Sequence, residues 1–460
     1  MTVSLTQICP KWTALPTPKT GAQSAHPTST CLRCIQSCRL VGANRCLGAT
    51  TYHLLPAPYH RIVRALLLEN IHPDGAAALE AAGYEVEAVD KALSASELTE
   101  ALAGVHLLGV RSKTQVSAEH LTRADSLLAV GAFCIGTDQV ALGTAASHGI
   151  AVFNAPYSNT RSVVELALGE IIALTRGLTE KNRMMHDGVW DKSAAGAHEL
   201  RGRHLGIIGY GNIGAQLSVL AEALGMTVYF YDVVDKLALG NAKRCSSMEE
   251  LLSVADIVTL HVDGRPGNAG LFGQQQFAAM KPRSVFLNLS RGFVIDTAAL
   301  RENVLSGHIS GAALDVFPIE PSGRGEEFVN DLRGVPNVIL TPHIGGSTQE
   351  AQQDIGRFVA GKLIDFVKDG STVLSVNLPP LGLAEHPGTH RLAHLHRNVP
   401  GVLAAINSVL ADHGVNVEGQ LLGTRGEVGY ALTDIGVDYA DDVVGQLRDL
   451  PETVRLRVLY

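Results

Sequence analysis

Residues 205–232, LGIIGYGNIGAQLSVLAEALGMTVYFYD, constrain this chain more than any other stretch. A short apolar run enters Gly209-x-Gly211-x-x-Gly214, a segment of helical period follows, Gly225 ends it, and a second apolar run closes on Asp232. A lone glycine triplet is weak evidence. Set between a strand and a helix, with an acid ending the next strand, it becomes the dinucleotide-binding fingerprint. The first glycine allows the tight turn, the second lets backbone approach a pyrophosphate, and the third lets helix and strand pack closely. The helix N-terminus favours the phosphate charge. Asp232 follows Gly209 by 23 residues and is expected to accept the ribose hydroxyls. Its charge repels a 2′-phosphate and no Arg follows directly, so NAD is favoured over NADP. The competing account, a glycine turn with a capping acid, fits the surrounding pattern less well.

Around this unit, strand-like runs at 61–69, 86–89, 104–110 and 127–130 alternate with helical patterns such as 76–82. Alternation of this kind implies an α/β fold with a parallel sheet covered on both faces. A long apolar helix is expected over 162–179, buried and suited to a subunit contact. The length of 460 residues fits about three domains. No apolar run reaches about 18 residues, so no membrane span is expected.

Charge and cysteines divide the chain unevenly. The first acidic residue is Glu69, and Lys11, Lys19, Arg33, Arg39, Arg45, Arg61 and Arg64 precede it. Those seven positive charges leave the remainder at −15 of a net −8, which argues against nucleic acid as a partner. Cys9, Cys31, Cys34, Cys38 and Cys46 lie in the prefix, and only Cys134 and Cys245 in the rest. A large body with two distant cysteines points to a reducing compartment. Residues 1–60 are expected to be an extension outside the folded domains. A disordered tail or a translation start near Val63 comes first, a transit peptide second, and a thiolate metal site at Cys31, Cys34 and Cys38 last. No metal is expected in the body.

Three strand-like runs after the fingerprint each lead straight into polar chemistry. Residues 284–289 lead to Arg291, 312–317 to Glu320, and 338–340 to His343. Ligands of open α/β sheets bind beyond the carboxyl ends of strands. An Arg, a Glu and a His delivered there therefore become candidates for one site, although each alone is weak. Together they suit hydride transfer at a hydroxy acid. His343 serves as acid and base, Glu320 fixes its tautomer, and Arg291 grips a carboxylate.

In order along the chain, GYGNIG with Asp232, NLSRG, DVFPIEP and TPHIGGST resemble the D-isomer-specific 2-hydroxyacid dehydrogenases. VRSKT at 110–114, CIGTDQV at 134–140 and NAPYSNTRSVVE at 154–165 resemble, more narrowly, the branch that oxidises 3-phospho-D-glycerate. The resemblance runs from about residue 61 to 460 and implies catalytic Arg291, Glu320 and His343. It implies substrate contacts at Arg111, Ser112, Lys113, Asn159 and Lys192, with Lys113 where the family also uses Arg, a point charge in place of a fork. It implies cofactor contacts at Asn212, Ile213, Asp232, His261, Leu289, Ser290, Asp315, Gly345 and Gly346, beside the glycines already named. Trp190 falls in a subunit contact. The implied architecture is two doubly wound Rossmann-like domains, the nucleotide domain (161–343) inserted into the substrate domain (61–160 and 344–375) with a hinge between them.

The C-terminal part, 388–460, follows a Pro- and Gly-punctuated linker at 371–390 and reads βαββαβ. With its Asn398-Val399-Pro400-Gly401 turn it resembles an ACT regulatory domain. That resemblance implies an L-serine effector site at His396, Asn398 and Asn416, although both Asn positions also suit ordinary turns. The implied whole is a cytoplasmic homotetramer that converts 3-phosphoglycerate to 3-phosphooxypyruvate with NAD in L-serine biosynthesis, inhibited by serine. Two rivals stand beside it: another D-2-hydroxyacid dehydrogenase, including a 2-oxoglutarate reductase, and a nucleotide-sensing corepressor on the same fold.

Overall fold

The computed structural model describes residues 62–321, 325–437, 439–440 and 442–460. The cysteine cluster and the rest of 1–60 lie outside them. The first sheet contains β1 (Arg64–Leu68), β2 (Glu85–Val89), β3 (Leu107–Val110), β4 (Ala129–Ala132) and β5 (Ala151–Phe153), all parallel, in the order β2-β1-β3-β4-β5. β3, β4 and β5 are buried throughout, as strands covered on both faces must be. The helix Gln349–Asp369 returns from much later in the chain to pack on the helix Pro73–Ala81 and on β4. The linker begins by extending this sheet: Ser375 bridges Phe153, and the Asn377 side chain accepts from Val152 N–H and donates to Ile150 carbonyl.

The second sheet holds β6 (His204–Ile208), β7 (Thr227–Tyr231), β8 (Lys243–Arg244), β9 (Ile257–Leu260), β10 (Ser284–Asn288), β11 (Ile309–Leu314) and β12 (Val338–Leu340). All are parallel, in the order β12-β11-β10-β9-β6-β7-β8. The order reverses after β6, which creates the switch-point crevice where doubly wound sheets bind nucleotides. The apolar helix expected over 162–179 is two helices, Thr160–Arg176 and Leu178–His186. Gly177 separates them in the left-handed conformation at φ 59°, a helix stop that an apolar period alone does not reveal. The first helix buries Val163, Val164, Ala167, Ile171 and Leu174 against this sheet.

The third sheet is antiparallel: β13 (Thr389–Arg397), β14 (Val417–Arg425), β15 (Val428–Gly436) and β16 (Thr453–Val458), in the order β14-β15-β13-β16, with helices Val402–Asp412 and Asp442–Arg448. The βαββαβ order is the one expected. Leu395, Tyr430 and Leu432 of this sheet share one apolar core with Phe153, Leu363, Phe366 and Leu378. Arg457 donates to the Phe366 and Val367 carbonyls, where the long helix exposes its last acceptors. Arg391 and Asp434 form a buried ion pair at 2.6 Å. Among the described residues, Cys134 and Cys245 are free thiols, and no helix is long and apolar enough to cross a membrane.

Candidate active site

Asn288 ends β10 and is fully buried. Its Oδ1 accepts from the Ser290 N–H (3.1 Å) and hydroxyl (2.7 Å), and its Nδ2 donates to the Arg291 carbonyl (3.0 Å). This staple fixes the turn on which Arg291 sits. Gly292 is required there, because a Cβ would overlap the Phe317 carbonyl carbon. The guanidinium runs between two further glycines. A Cβ on Gly136, after β4, or on Gly264, after β9, would approach it to 3.2 Å. Arg291 thus reaches from the second sheet to a loop of the first, where Asp138 lies 4.0 Å from its Nε.

Glu320 accepts the Phe317 N–H on one oxygen (3.0 Å) and meets His343 Nδ1 with the other (2.9 Å). Asp315, at the exit of β11, lashes down the loop that carries His343. Its Oδ1 accepts from the Thr341 hydroxyl (2.6 Å) and Ile344 N–H (2.8 Å), and its Oδ2 from Gly345 N–H (2.7 Å). His343 itself takes φ 54°, a left-handed conformation uncommon outside glycine. Among the described residues no side chain or backbone group engages its Nε2, so Glu320 leaves that nitrogen free for a substrate. The Glu320 hydrogen bond raises the His343 imidazole above its ordinary value, burial opposes it, and the charges of Glu320 and Asp315 add to the rise. Burial pushes the Glu320 carboxyl upward, but the bonds from His343 and Phe317 with the nearby positive charges outweigh it, and the net shift is downward.

These groups open on one cavity of about 1110 Å³ lined from both parallel sheets. From the first sheet come Arg111, Ser112, Lys113, Gln139 and Asn159; from the second come Arg291, Glu320 and His343. Asn159 begins the helix Thr160–Arg176 and presses on Gly346, leaving no room for a Cβ there. Ile213, Leu289, Ser290, Asp315, Gly345 and Gly346 also line it. Lys192 does not: it lies on an exposed loop outside the cavity of its own chain.

The remaining nucleotide residues surround the β6 exit. Gly209 takes φ 92°, and a Cβ on it would sit 2.6 Å from the His261 carbonyl oxygen. A Cβ on Gly214 would overlap the Gly209 carbonyl. Gly211, by contrast, has no protein atom within 4 Å of such a Cβ. Packing explains the outer glycines; open space at the middle one is what close approach of a pyrophosphate needs. Asn212 opens the helix Asn212–Ala223. Asp232 accepts Tyr210 N–H (2.8 Å) and Val234 N–H (2.9 Å), which aims its carboxylate across the mouth of the loop. His261 bonds Thr259 through Nε2, its Nδ1 has no partner, and burial lowers its pKa to about 4, so the ring is neutral. The residues present fit NAD.

Residues 168–345 match the family model for the NAD binding domain of D-isomer specific 2-hydroxyacid dehydrogenases, and residues 392–455 match an AHAS small subunit-like ACT domain. The chain is 49% identical over 399 residues to a D-3-phosphoglycerate dehydrogenase of Haemophilus influenzae, covering 86% of this chain and 97% of that one. It is 47% identical over 401 residues to the enzyme of that name from Escherichia coli K12, at 86% and 98% coverage. The chain belongs to the D-isomer-specific 2-hydroxyacid dehydrogenase family. A family member of known structure, the D-lactate dehydrogenase of Aquifex aeolicus complexed with NAD and lactic acid, is 26% identical with a TM-score of 0.59, over 66% of this chain and 96% of that one.

As a 2-hydroxyacid dehydrogenase the chain is an NAD-dependent oxidoreductase, and three groups around Arg291 were not singled out from the sequence. Asn288, Gly264 and Asp138 act on Arg291 through tertiary placement. Asn288 alone carried a hint, as a polar residue closing an apolar strand. At the ACT end the three expected effector residues do not meet within one chain. His396 and Asn398 stand at one end of the third sheet, and the Asn416 carbonyl accepts from Gly436 at the other. Along β15 that is seven residues from Gly429, the partner of His396, or roughly 23 Å.

Proposed function

We propose that this dehydrogenase oxidises 3-phospho-D-glycerate to 3-phosphooxypyruvate with NAD, the first step of L-serine biosynthesis. The observation that carries the reading is the His343–Glu320 pair facing Arg291 across a cavity whose other wall is Arg111, Ser112 and Lys113. Among the described residues neither Arg111 nor Lys113 is in an ion pair, so both are available to a phosphate. Residues 61–160 and 344–375 carry the substrate, 161–343 the nucleotide, 388–460 regulation, and 1–60 are an extension.

Arg291 holds the substrate carboxylate in bidentate fashion, the Arg111–Lys113 loop holds the phosphate, and Asn159 borders both. His343 Nε2 takes the proton of the C2 hydroxyl while Glu320 steadies the imidazolium that forms. Bound NAD, held by Gly211, Ile213, Asp232 and the loop at Gly345 and Gly346, supplies the hydride acceptor, so alcohol becomes ketone. In the reverse direction protonated His343 returns the proton. The first and second sheets close on each other about the cavity and exclude water.

L-serine acts as a feedback effector at His396, Asn398 and Asn416. Because these lie at opposite ends of one sheet, the site forms where two copies pair and each contributes one end. Trp190, 73% exposed beside Val189 and Met185, fits a further subunit contact in a homotetramer. The deciding experiment is NADH formation with 3-phosphoglycerate and with unphosphorylated D-glycerate, with and without millimolar serine. Strong preference for the phosphorylated acid and loss of rate with serine are expected; equal turnover of the two acids sinks the substrate assignment.

A further inference from the structure

The loop that carries Arg111, Ser112 and Lys113 is clamped from behind. Glu69, the residue after β1, is buried at 7% exposure, and its two oxygens accept the N–H groups of Lys113 (3.0 Å) and Thr114 (2.8 Å). On the other side Gln139 Nε2 donates to the Arg111 carbonyl at 2.5 Å, and Gln139 carbonyl accepts the Val116 N–H at 2.8 Å. Glu69 and Asn70 occupy the left-handed region in succession, at φ 65° and 52°, a conformation that Asn tolerates but that is uncommon for Glu. The Glu69 N–H is held by the Lys91 carbonyl and the Asn70 N–H by the Val89 carbonyl, both at the end of β2.

We propose that Glu69 is a positioning residue that aims the Arg111–Lys113 side chains at the phosphorylated end of the substrate. The inference rests on the reading of a phosphorylated hydroxy acid. Two consequences of the geometry support it. With both oxygens of Glu69 engaged, the Lys113 and Thr114 amides are turned away from the cavity and cannot bind an anion, so recognition falls to the side chains. Those side chains are long and flexible, and a clamped backbone is what gives them a common origin. A carboxylate behind an anion pocket is otherwise adverse, since it opposes the charge the pocket receives. Charge and position therefore predict opposite outcomes when Glu69 is neutralised.

Steady-state kinetics of full-length wild type, Glu69→Gln and Glu69→Asp with 3-phosphoglycerate and with D-glycerate, alongside NADH binding by fluorescence, separate these outcomes. Gln keeps one acceptor and turns the other contact into two opposed donors. Its KM for 3-phosphoglycerate is expected to rise about tenfold with kcat within about twofold, kcat/KM for D-glycerate nearly unchanged and NADH affinity intact. Asp keeps both oxygens but retreats by one methylene, and a smaller rise of about threefold is expected. A lowered or unchanged KM in Glu69→Gln overturns the proposal in favour of charge alone. An equal loss for both acids, or loss of NADH binding in both variants, overturns it in favour of a general role in holding the fold. If wild type itself fails to prefer the phosphorylated acid, the substrate reading falls, and the aim assigned to Glu69 falls with it.

Discussion

Two loops of this enzyme are proposed to receive phosphate, and they are built by opposite means. The Gly209–Gly214 turn after β6 offers backbone, a helix N-terminus and an uncrowded Gly211, with no cation in the turn. The Arg111–Lys113 turn after β3 offers side chains, while the amides of Lys113 and Thr114 are committed to Glu69. The first loop is held by its outer glycines, Gly209 and Gly214, which are wedged against neighbouring backbone. The second carries flexible cations on a clamped base. A dinucleotide whose pyrophosphate is the same in both oxidation states suits the first; a substrate that varies between relatives suits the second.

The largest effect is expected away from both loops. His343→Ala should lower kcat by about a thousandfold or more while NADH affinity and substrate KM stay near wild type. Rapid turnover in that variant would remove His343 from the reaction. Next comes a paired substitution that tests the contrast directly. Arg111→Ala should raise the KM for 3-phosphoglycerate by roughly a hundredfold and spare NADH binding, while Gly209→Ala should do the reverse. Equal damage to both ligands by either variant would show the loops to be coupled.

Glu320→Gln acts on the pH profile. Oxidation needs neutral His343, so kcat/KM rises with pH through an apparent pKa above the ordinary imidazole range, because Glu320 favours the protonated ring. Without that carboxylate the rising limb should move to lower pH as the rate falls; a limb that stays in place would mean that Glu320 does not set the titration. The smallest change is expected for Asp138→Asn, which removes an exposed acid 4.0 Å from Arg291. KM for the anionic substrate should fall by about twofold, in keeping with the weakness of exposed ion pairs.

The contrast between the loops also marks what could be read in advance. The glycine loop announces itself because its spacing is local and strand, turn and helix are contiguous. Arg291, Glu320 and His343 stand out as candidates because each follows an apolar strand within a few residues, and the structure brings all three to one cavity. The supports do not stand out in the sequence. Glu69 meets Lys113 and Thr114 across more than forty residues, and Gly264 matters only because Arg291 passes over it. Gly177 breaks a helix whose apolar period runs on through it. Lys192 was grouped with the pocket cations by resemblance, yet within one chain it stands outside the cavity.

The apolar core shared by the third sheet and the first has a consequence for separability. Tyr430 donates to the Gly370 carbonyl from a fully buried position, and Leu395 and Leu432 pack in the same cluster as Phe153 and Phe366. The long helix that ends there begins at Gln349, only a few residues beyond Gly346 in the catalytic loop. The first and third sheets are therefore not modules joined by a tether. Cutting the chain before β13 would strip cover from the floor of the catalytic half, and the proposed serine control is to be tested by altering His396, Asn398 and Asn416 rather than by removing the third sheet.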